Sequence, residues 1–182
     1  HNGAQARPGL LKELESGSRI ALMSDAGTPL ISDPGYKLVR EAAELGIPIY
    51  AIPGASAPLT ALASSGLPTD RFTFAGFPPP KSSARKRFLT EMKSGQGTLI
   101  FFEGPSRLVA SLTDMAEVFG AREAAVAREL TKKFEETRRG LLPDLAAHYA
   151  EAGPPRGEIV ILVGPPGEQG PPEANAIDAA IL

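Results

Sequence analysis

Two short loops carry the residues best suited to chemistry. Ser24-Asp25-Ala26-Gly27-Thr28-Pro29 and Pro53-Gly54-Ala55-Ser56 each follow an apolar run, Arg19 to Met23 and Ile47 to Ile52, and each precedes a stretch with helical spacing. Glycine lets a ligand approach the backbone closely, and the start of a helix offers N–H groups that lack partners inside the helix. The Asp25 carboxylate can accept hydrogen bonds from hydroxyl groups or face a cationic ligand. Gly27, Pro29, Gly35 and Gly54 also suffice to make tight turns, so spacing alone leaves the two readings level. Neither G-x-G-x-x-G nor G-x-x-x-x-G-K-[ST] occurs, which argues against ordinary dinucleotide and nucleoside-triphosphate sites.

A second feature is cationic. Lys81-Ser82-Ser83-Ala84-Arg85-Lys86-Arg87 is a dense basic cluster in a chain whose formal net charge is −2. Such a cluster can hold nucleic-acid phosphates and set register without reading bases. It can equally be the solvated face of a helix. The net charge excludes coating of nucleic acid by bulk charge, so any such contact must be local. There are no cysteines and two histidines, His1 and His148, so disulfides and metal sites are not expected. His148 falls in an expected helix beside Tyr149 and reads as structural. Phe72, Phe74, Phe77, Phe101 and Phe102 can stack on unpaired bases, although Phe101 and Phe102 lie in a strand that must bury something.

The elements that position these residues follow from the apolar pattern. The chain has 182 residues, 42% hydrophobic and 22% charged, enough for one full domain or two small ones. In the first part, Asp33-Pro34 predicts a helix start, Leu38, Val39, Ala42 and Leu45 recur at helical spacing, and Gly46 closes the helix. Ser56 is placed to cap a small-residue helix from Ala57 to Ser65. This strand–loop–helix order predicts parallel strands with crossover helices, and ligands then bind at the carboxyl edge of the sheet. Beyond Gly66 to Arg71, a linker, the pattern gives a basic helix over Lys81 to Lys93 and a buried strand over Thr98 to Phe102. A helix ending at Phe119, a strand over Ala124 to Ala127 and an edge strand over Phe134 to Leu142 follow. A helix over Pro143 to Ala152 and a last strand over Glu158 to Val163 complete the series. The boundaries are set at 1–71 for a first α/β domain, 72–164 for a second, and 165–182 for a Pro/Gly-rich tail with the start of a further helix. Two strands are too few for a sheet of ordinary size. The first domain is therefore expected to be incomplete, with an uncovered sheet edge that invites pairing with another copy of the chain or local disorder over residues 1 to 18. The apolar runs are too short to span a bilayer and no leader is evident, so a soluble, cytoplasmic protein is expected.

Several long motifs then occur in order. Ser24 to Tyr36 reads SDAGTPLISDPGY, and Pro53-Gly54-Ala55-Ser56-Ala57, Ser65-Gly66-Leu67-Pro68-Thr69-Asp70-Arg71-Phe72 and Gly76-Phe77-Pro78 follow. Ala127-Arg128-Glu129-Leu130-Thr131-Lys132 and Gly157-Glu158-Ile159-Val160 close the series. Together, over roughly residues 1 to 164, they resemble the rRNA small-subunit methyltransferase I family, cytidine-2′-O-methyltransferases of the tetrapyrrole methylase superfamily. Two departures stand out. Glu103-Gly104-Pro105-Ser106-Arg107 stands where that family commonly has Glu-Ser-Pro-His-Arg, and the family's earlier Gly-Thr-Pro-Ile-Gly-Asn-Leu loop has no counterpart here.

The resemblance implies a tetrapyrrole-methylase-like α/β fold of two domains with S-adenosylmethionine in the cleft between them. It implies cofactor contacts from Asp25, Ala26, Gly27, Thr28, Ile31, Ser56 and Ala57 in the first domain, and from Phe102, Glu103, Leu130 and Glu158 in the second. The implied reaction is methylation of a cytidine ribose 2′-hydroxyl in 16S rRNA of the 30S subunit, by a homodimer without metal or membrane. Methyl transfer to a hydroxyl needs alignment and a base, for which Glu103 and Glu129 are the candidates. Lys132 and Arg128 are candidates for stabilising an oxyanion or a phosphate. Surface ion pairing is the alternative for all four. Lys81, Arg85, Lys86 and Arg87 are the candidate rRNA contacts. The competing functions are a tetrapyrrole or diphthine-type methylase and a non-catalytic binding fragment.

Overall fold

Continuous apolar runs decide the centre of the fold. In this computed structural model, which describes residues 3–25 and 27–167, Thr98–Glu103 (β2) and Ile159–Val163 (β5) lie beside Glu123–Arg128 (β3) and are buried almost throughout. Phe72–Phe74 (β1) and Glu136–Leu141 (β4) form the edges, giving the order β1-β2-β5-β3-β4. Only β1 and β2 run parallel; the other pairings are antiparallel. Short, partly exposed and more polar edge strands protect such a sheet from further pairing.

Register places one buried row across the centre. Phe101 pairs with Ile161, and Ile161 pairs with Val126. The face that carries Leu99, Phe101, Val126, Ile159 and Ile161 packs into one core with residues from three helices. These are Ser82–Thr90 (α4), Leu108–Phe119 (α5, entered through a 3₁₀ turn at Pro105–Arg107) and Leu142–Ala152 (α6). Leu89, Leu108, Leu112, Met115 and Leu142 are wholly buried there, each worth roughly 1.5–3 kcal/mol of burial. Gly120 ends α5 with a positive φ of 76°, as expected of a residue just past a helix.

The chain divides into two compact units between Ala57 and Pro58, earlier than the linker suggested by Gly66 to Arg71. The reason lies in Ala57–Ser65 (α3). Arg139 on β4 donates to the carbonyls of Ser64 and Ser65, and the Thr98 hydroxyl donates to Pro68. Those bonds bind the end of α3 and the linker to the five-stranded sheet.

The first unit differs from expectation. Its described residues hold Gly3–Glu15 (α1) and Tyr36–Glu44 (α2), and no strand. Arg19 to Met23 and Ile47 to Ile52 have the composition of strands but no ladder partner, and without one the backbone N–H and C=O groups cannot make a sheet. Met23, Tyr50 and Ile52 are each 84–85% exposed. Residues 3–15, where disorder was the alternative, are helical, and Arg7 on α1 pairs with Glu41 on α2 at 2.9 Å. Helix α2 starts at Tyr36 behind Gly35 rather than at Pro34. Its end matches the reading: Gly46 N–H bonds to Ala43 and Ile47 N–H to Ala42, the paired bonds of a glycine-terminated helix. The tail helix expected within 165–182 lies outside the described residues, apart from Pro165–Gly167, which are not helical.

Candidate functional site

In the first unit the two chemistry-bearing loops are joined directly. The Thr28 hydroxyl donates to the Ala55 carbonyl at 2.9 Å. The loops therefore lie side by side, but the parallel strands expected to carry them are absent among the described residues. Leu30 and Ser32 adopt left-handed backbone, with φ of 73° and 58°, a conformation that non-glycine residues enter at a cost. Ile31 and Asp25 are exposed, and Ser56 and Ala57 are half-buried. A Cβ at Gly27 or Gly54 would meet nothing within 4 Å, so open space lies over both glycines. The exposed Asp25 carboxylate can accept from hydroxyls or face a cationic centre, and the backbone at Gly27 and Gly54 can be approached closely. Ala26 lies outside the described residues.

The second unit gathers its candidates at one edge of its sheet. Glu103 ends β2 and pairs in register with Ile159, which pairs with Arg128 at the end of β3. Because β5 is antiparallel to both, its first residues share that edge, and Phe102, Glu103, Arg128, Glu129, Leu130 and Glu158 converge there. Phe102 itself is packed edge-on against Phe74, with ring centres 4.8 Å apart, and 5.4 Å from Phe77. Phe101 is wholly buried, and the half-buried His148 makes an edge contact with its neighbour Tyr149 at 5.1 Å. A concavity of about 640 Å³ opens beside Glu123 and Gly164, at the other end of the sheet, remote from these residues.

Neither candidate base is presented as one. The side chain of Glu103 is fully buried, and both oxygens are engaged. Oε1 accepts from Gly104 N–H at 2.7 Å and pairs with Arg107 at 2.6 Å, while Oε2 accepts from the Ser111 hydroxyl. Glu129 accepts from the Lys132 ammonium and from Glu158 N–H, each at 2.9 Å. Lys132, then the Glu158 N–H, hold its pKa below the ordinary glutamate value, the wrong direction for accepting a proton near neutrality. Lys132 also pairs with Glu158 at 3.0 Å, and its own pKa is raised by the two carboxylates, Glu129 first. Arg128 pairs with Glu136 at 3.0 Å and donates to the Arg156 carbonyl. These four residues form internal ion pairs at the sheet edge.

One arginine of the basic cluster is not a surface residue. Arg85 is 3% exposed; its Nε donates to Asp114 at 2.7 Å, and its remaining nitrogens reach the carbonyls of Pro79, Pro80 and Ala110. A guanidinium spent in this way has nothing left for a phosphate, so the expected RNA contact at Arg85 is corrected to a buried structural pair. Lys86 bonds to Glu117, its strongest influence, and lies 3.5 Å from Asp114; its pKa is raised accordingly. Lys81 and Arg87 are exposed. Ser111 and Asp114, which support Glu103 and Arg85, were not singled out in the sequence, while Arg107 and Gly157 stand in the quoted motifs without an assigned role.

Among the described residues no cluster of three or more His, Asp or Glu is arranged to hold a metal, and no helix is long and apolar enough to cross a membrane.

Residues 2–146 match the family model of Tetrapyrrole (Corrin/Porphyrin) Methylases. A protein of Mesorhizobium japonicum named Ribosomal RNA small subunit methyltransferase I is 56% identical over 166 residues, covering 91% of this chain and 56% of that protein. The methyltransferase CobJ has a similar structure, with a TM-score of 0.62 at 22% identity over 87% of this chain and 70% of that one. So does uroporphyrin-III C-methyl transferase from Thermus thermophilus in complex with S-adenosyl homocysteine, with a TM-score of 0.55 at 16% identity over 87% and 72%. The chain belongs to the tetrapyrrole methylases, and it is similar to several proteins named Ribosomal RNA small subunit methyltransferase I. It spans little more than half the length of the Mesorhizobium relative.

Proposed function

We propose that this chain serves S-adenosylmethionine-dependent methylation of a cytidine ribose 2′-hydroxyl in 16S rRNA of the 30S subunit. The observation that carries the cofactor half is the Thr28–Ala55 hydrogen bond, which joins two glycine-containing loops beside open space. The rRNA half is supported by the 56% identical relative, whose name gives small-subunit ribosomal RNA, and the cytidine 2′-hydroxyl by the motif resemblance alone. When bound, the cofactor supplies an electrophilic methyl group on a sulfonium. Asp25, Gly27, Thr28, Ile31, Ser56 and Ala57 are its first-unit contacts in this proposal. Asp25 is the group that can accept from ribose hydroxyls, and exposed Ile31 offers an apolar surface.

With Glu103 and Glu129 committed to internal partners, this chain's own contribution to the chemistry is chiefly to hold geometry and exclude water. The rRNA reaches the exposed cations Lys81 and Arg87 through its phosphates. Lys86, half-exposed and paired to Glu117, contributes less. The protein works in the cytoplasm, where ribosomal subunits are, and as a homodimer. Met23, Tyr50 and Ile52 are exposed apolar side chains that a contact with a second copy can cover.

The test is a substrate screen with radiolabelled S-adenosylmethionine. Label in 30S subunits, and none in a uroporphyrinogen or in a translation-factor histidine derivative, is the expected result. Transfer to either small substrate in place of rRNA would refute the reading.

A further inference from the structure

We infer that Arg107 is a phosphate-binding residue for the RNA substrate, its guanidinium preset by the buried carboxylate of Glu103. The inference rests on the rRNA reading above. Three cations hold positions at the ends of β2 and β3, and two of them are spent internally. Arg128 divides its nitrogens between Glu136 and the Arg156 carbonyl, and its Nε is buried without a partner. Lys132 sits between Glu129 and Glu158. Arg107 differs. One nitrogen pairs with Glu103 at 2.6 Å, and a third of the side chain is exposed. Among the described residues Glu103 is its one ionic partner, so most of its five N–H donors remain for solvent or a ligand.

The anchor is built to hold that arginine. Glu103 is fully buried, and Gly104 N–H and the Ser111 hydroxyl fix the carboxylate from the other sides. A guanidinium fixed in this way loses less freedom on binding, and its planar fork matches two phosphate oxygens. The surroundings favour a polyanion over a single carboxylate. Arg107 leads into α5, and α4 is tied to α5 through Ser82 and Arg85 to Asp114. Seven residues of helix separate Arg107 from Asp114, roughly 10 Å. The exposed cations Lys81 and Arg87 flank that tie on α4. A strand that carries a phosphate on every nucleotide can meet both places at once.

The experiment measures 30S-subunit affinity across a salt series, with S-adenosylhomocysteine affinity and melting temperature recorded in parallel. Removing the arginine alone strands a buried carboxylate, so the main variant is the neutral pair Glu103→Gln with Arg107→Gln. It should bind 30S subunits about tenfold more weakly at ~0.1 M salt, with the slope of log K against log salt reduced by about one. Arg107→Lys keeps the charge and a partner for Glu103. It should keep the slope and lose severalfold in affinity, because a point charge replaces the fork. Cofactor affinity should be unchanged in Arg107→Lys, which leaves Glu103 in place. A parental salt slope in the neutral pair, or parental affinity in Arg107→Lys, would overturn the inference. So would a loss confined to cofactor affinity, which would give the arginine to a cofactor carboxylate. Altered 30S binding without methyl transfer by the parent would sink the functional reading alone, and methyl transfer with an unaltered slope would sink the Arg107 inference alone.

Discussion

The carboxylate of Glu129 occupies the space in which a side chain at residue 157 would begin. Gly157 has a φ of 100°, and a Cβ built there would overlap the Glu129 carboxyl group. Glu129 itself is held in left-handed backbone, φ 49°, as is Thr131 at 65°. The loop after β3 and the turn before β5 are thus locked together by Glu129, Lys132 and Glu158, and the lock exists because residue 157 has no side chain.

Gly157→Ala should therefore destabilise the second unit by more than backbone strain alone. Gly153 provides the control, with a φ of 81° and open space around its would-be Cβ. Gly153→Ala should cost about 1–3 kcal/mol from conformation, and Gly157→Ala should exceed it. Urea denaturation of the two variants decides the matter, and equal losses would show that the overlap is relieved without cost.

The pH dependence of the same lock has a definite sign. The folded-state pKa of Glu129 is depressed, chiefly by Lys132, so its contribution is complete above the unfolded value of about 4.3 and is lost as pH falls through the lower, folded value. Lys132 shifts upward, so its contribution persists through neutral pH and fades only above the ordinary lysine range. The Glu158 amide resonance, whose N–H bonds to Glu129, should titrate with a midpoint below 4.3 and lose that step in Glu129→Gln. A midpoint at or above the ordinary value would contradict the arrangement.

Arg85→Ala should cost about 3–5 kcal/mol by removing the close buried partner of Asp114, which then keeps only the Ser82 hydroxyl and the more distant Lys86. Lys81→Ala and Arg87→Ala should change stability by less than about 0.5 kcal/mol. Only the latter two should alter the salt dependence of 30S binding in proportion to their charge. Comparable stability losses at all three positions would mean that Arg85 is not the buried member of the cluster.

Thr28→Val removes the bond between the two first-unit loops. The bond is exposed, so folding stability should hardly change, while S-adenosylhomocysteine binding should weaken up to about tenfold as one net hydrogen bond is lost. Calorimetry checks this, and unchanged affinity would separate the loop junction from cofactor binding.

The second unit was legible in the sequence for a physical reason. Thr98 to Phe102 and Glu158 to Val163 are apolar without alternation, which central strands covered on both faces require, and Gly120 marks the end of α5. Arg19 to Met23 and Ile47 to Ile52 have the same composition, but a strand is a property of a pair, and the partner is not written in the segment itself. The Arg85 pair carried a signal that the charge run concealed. Arg85 stands three, four and seven residues before Phe88, Leu89 and Met92, on the stripe that faces the core. The convergence of Glu103, Glu129 and Glu158 could be anticipated from strand ends. Their internal pairing could not, because it depends on Gly157, Ser111 and Arg107, residues that look like ordinary turn and helix positions.

The central claim is that the methyl group goes to a ribose oxygen of small-subunit rRNA. The direct measurement incubates 30S subunits and labelled S-adenosylmethionine with this chain, and in parallel with a protein of its relatives' full length that contains it. The 16S rRNA is then digested with alkali, which cannot cleave beside a 2′-O-methylated nucleotide. The account predicts label in a single alkali-resistant dinucleotide that begins with cytidine. Label released as ordinary mononucleotides, or no transfer to rRNA by either protein, would contradict it.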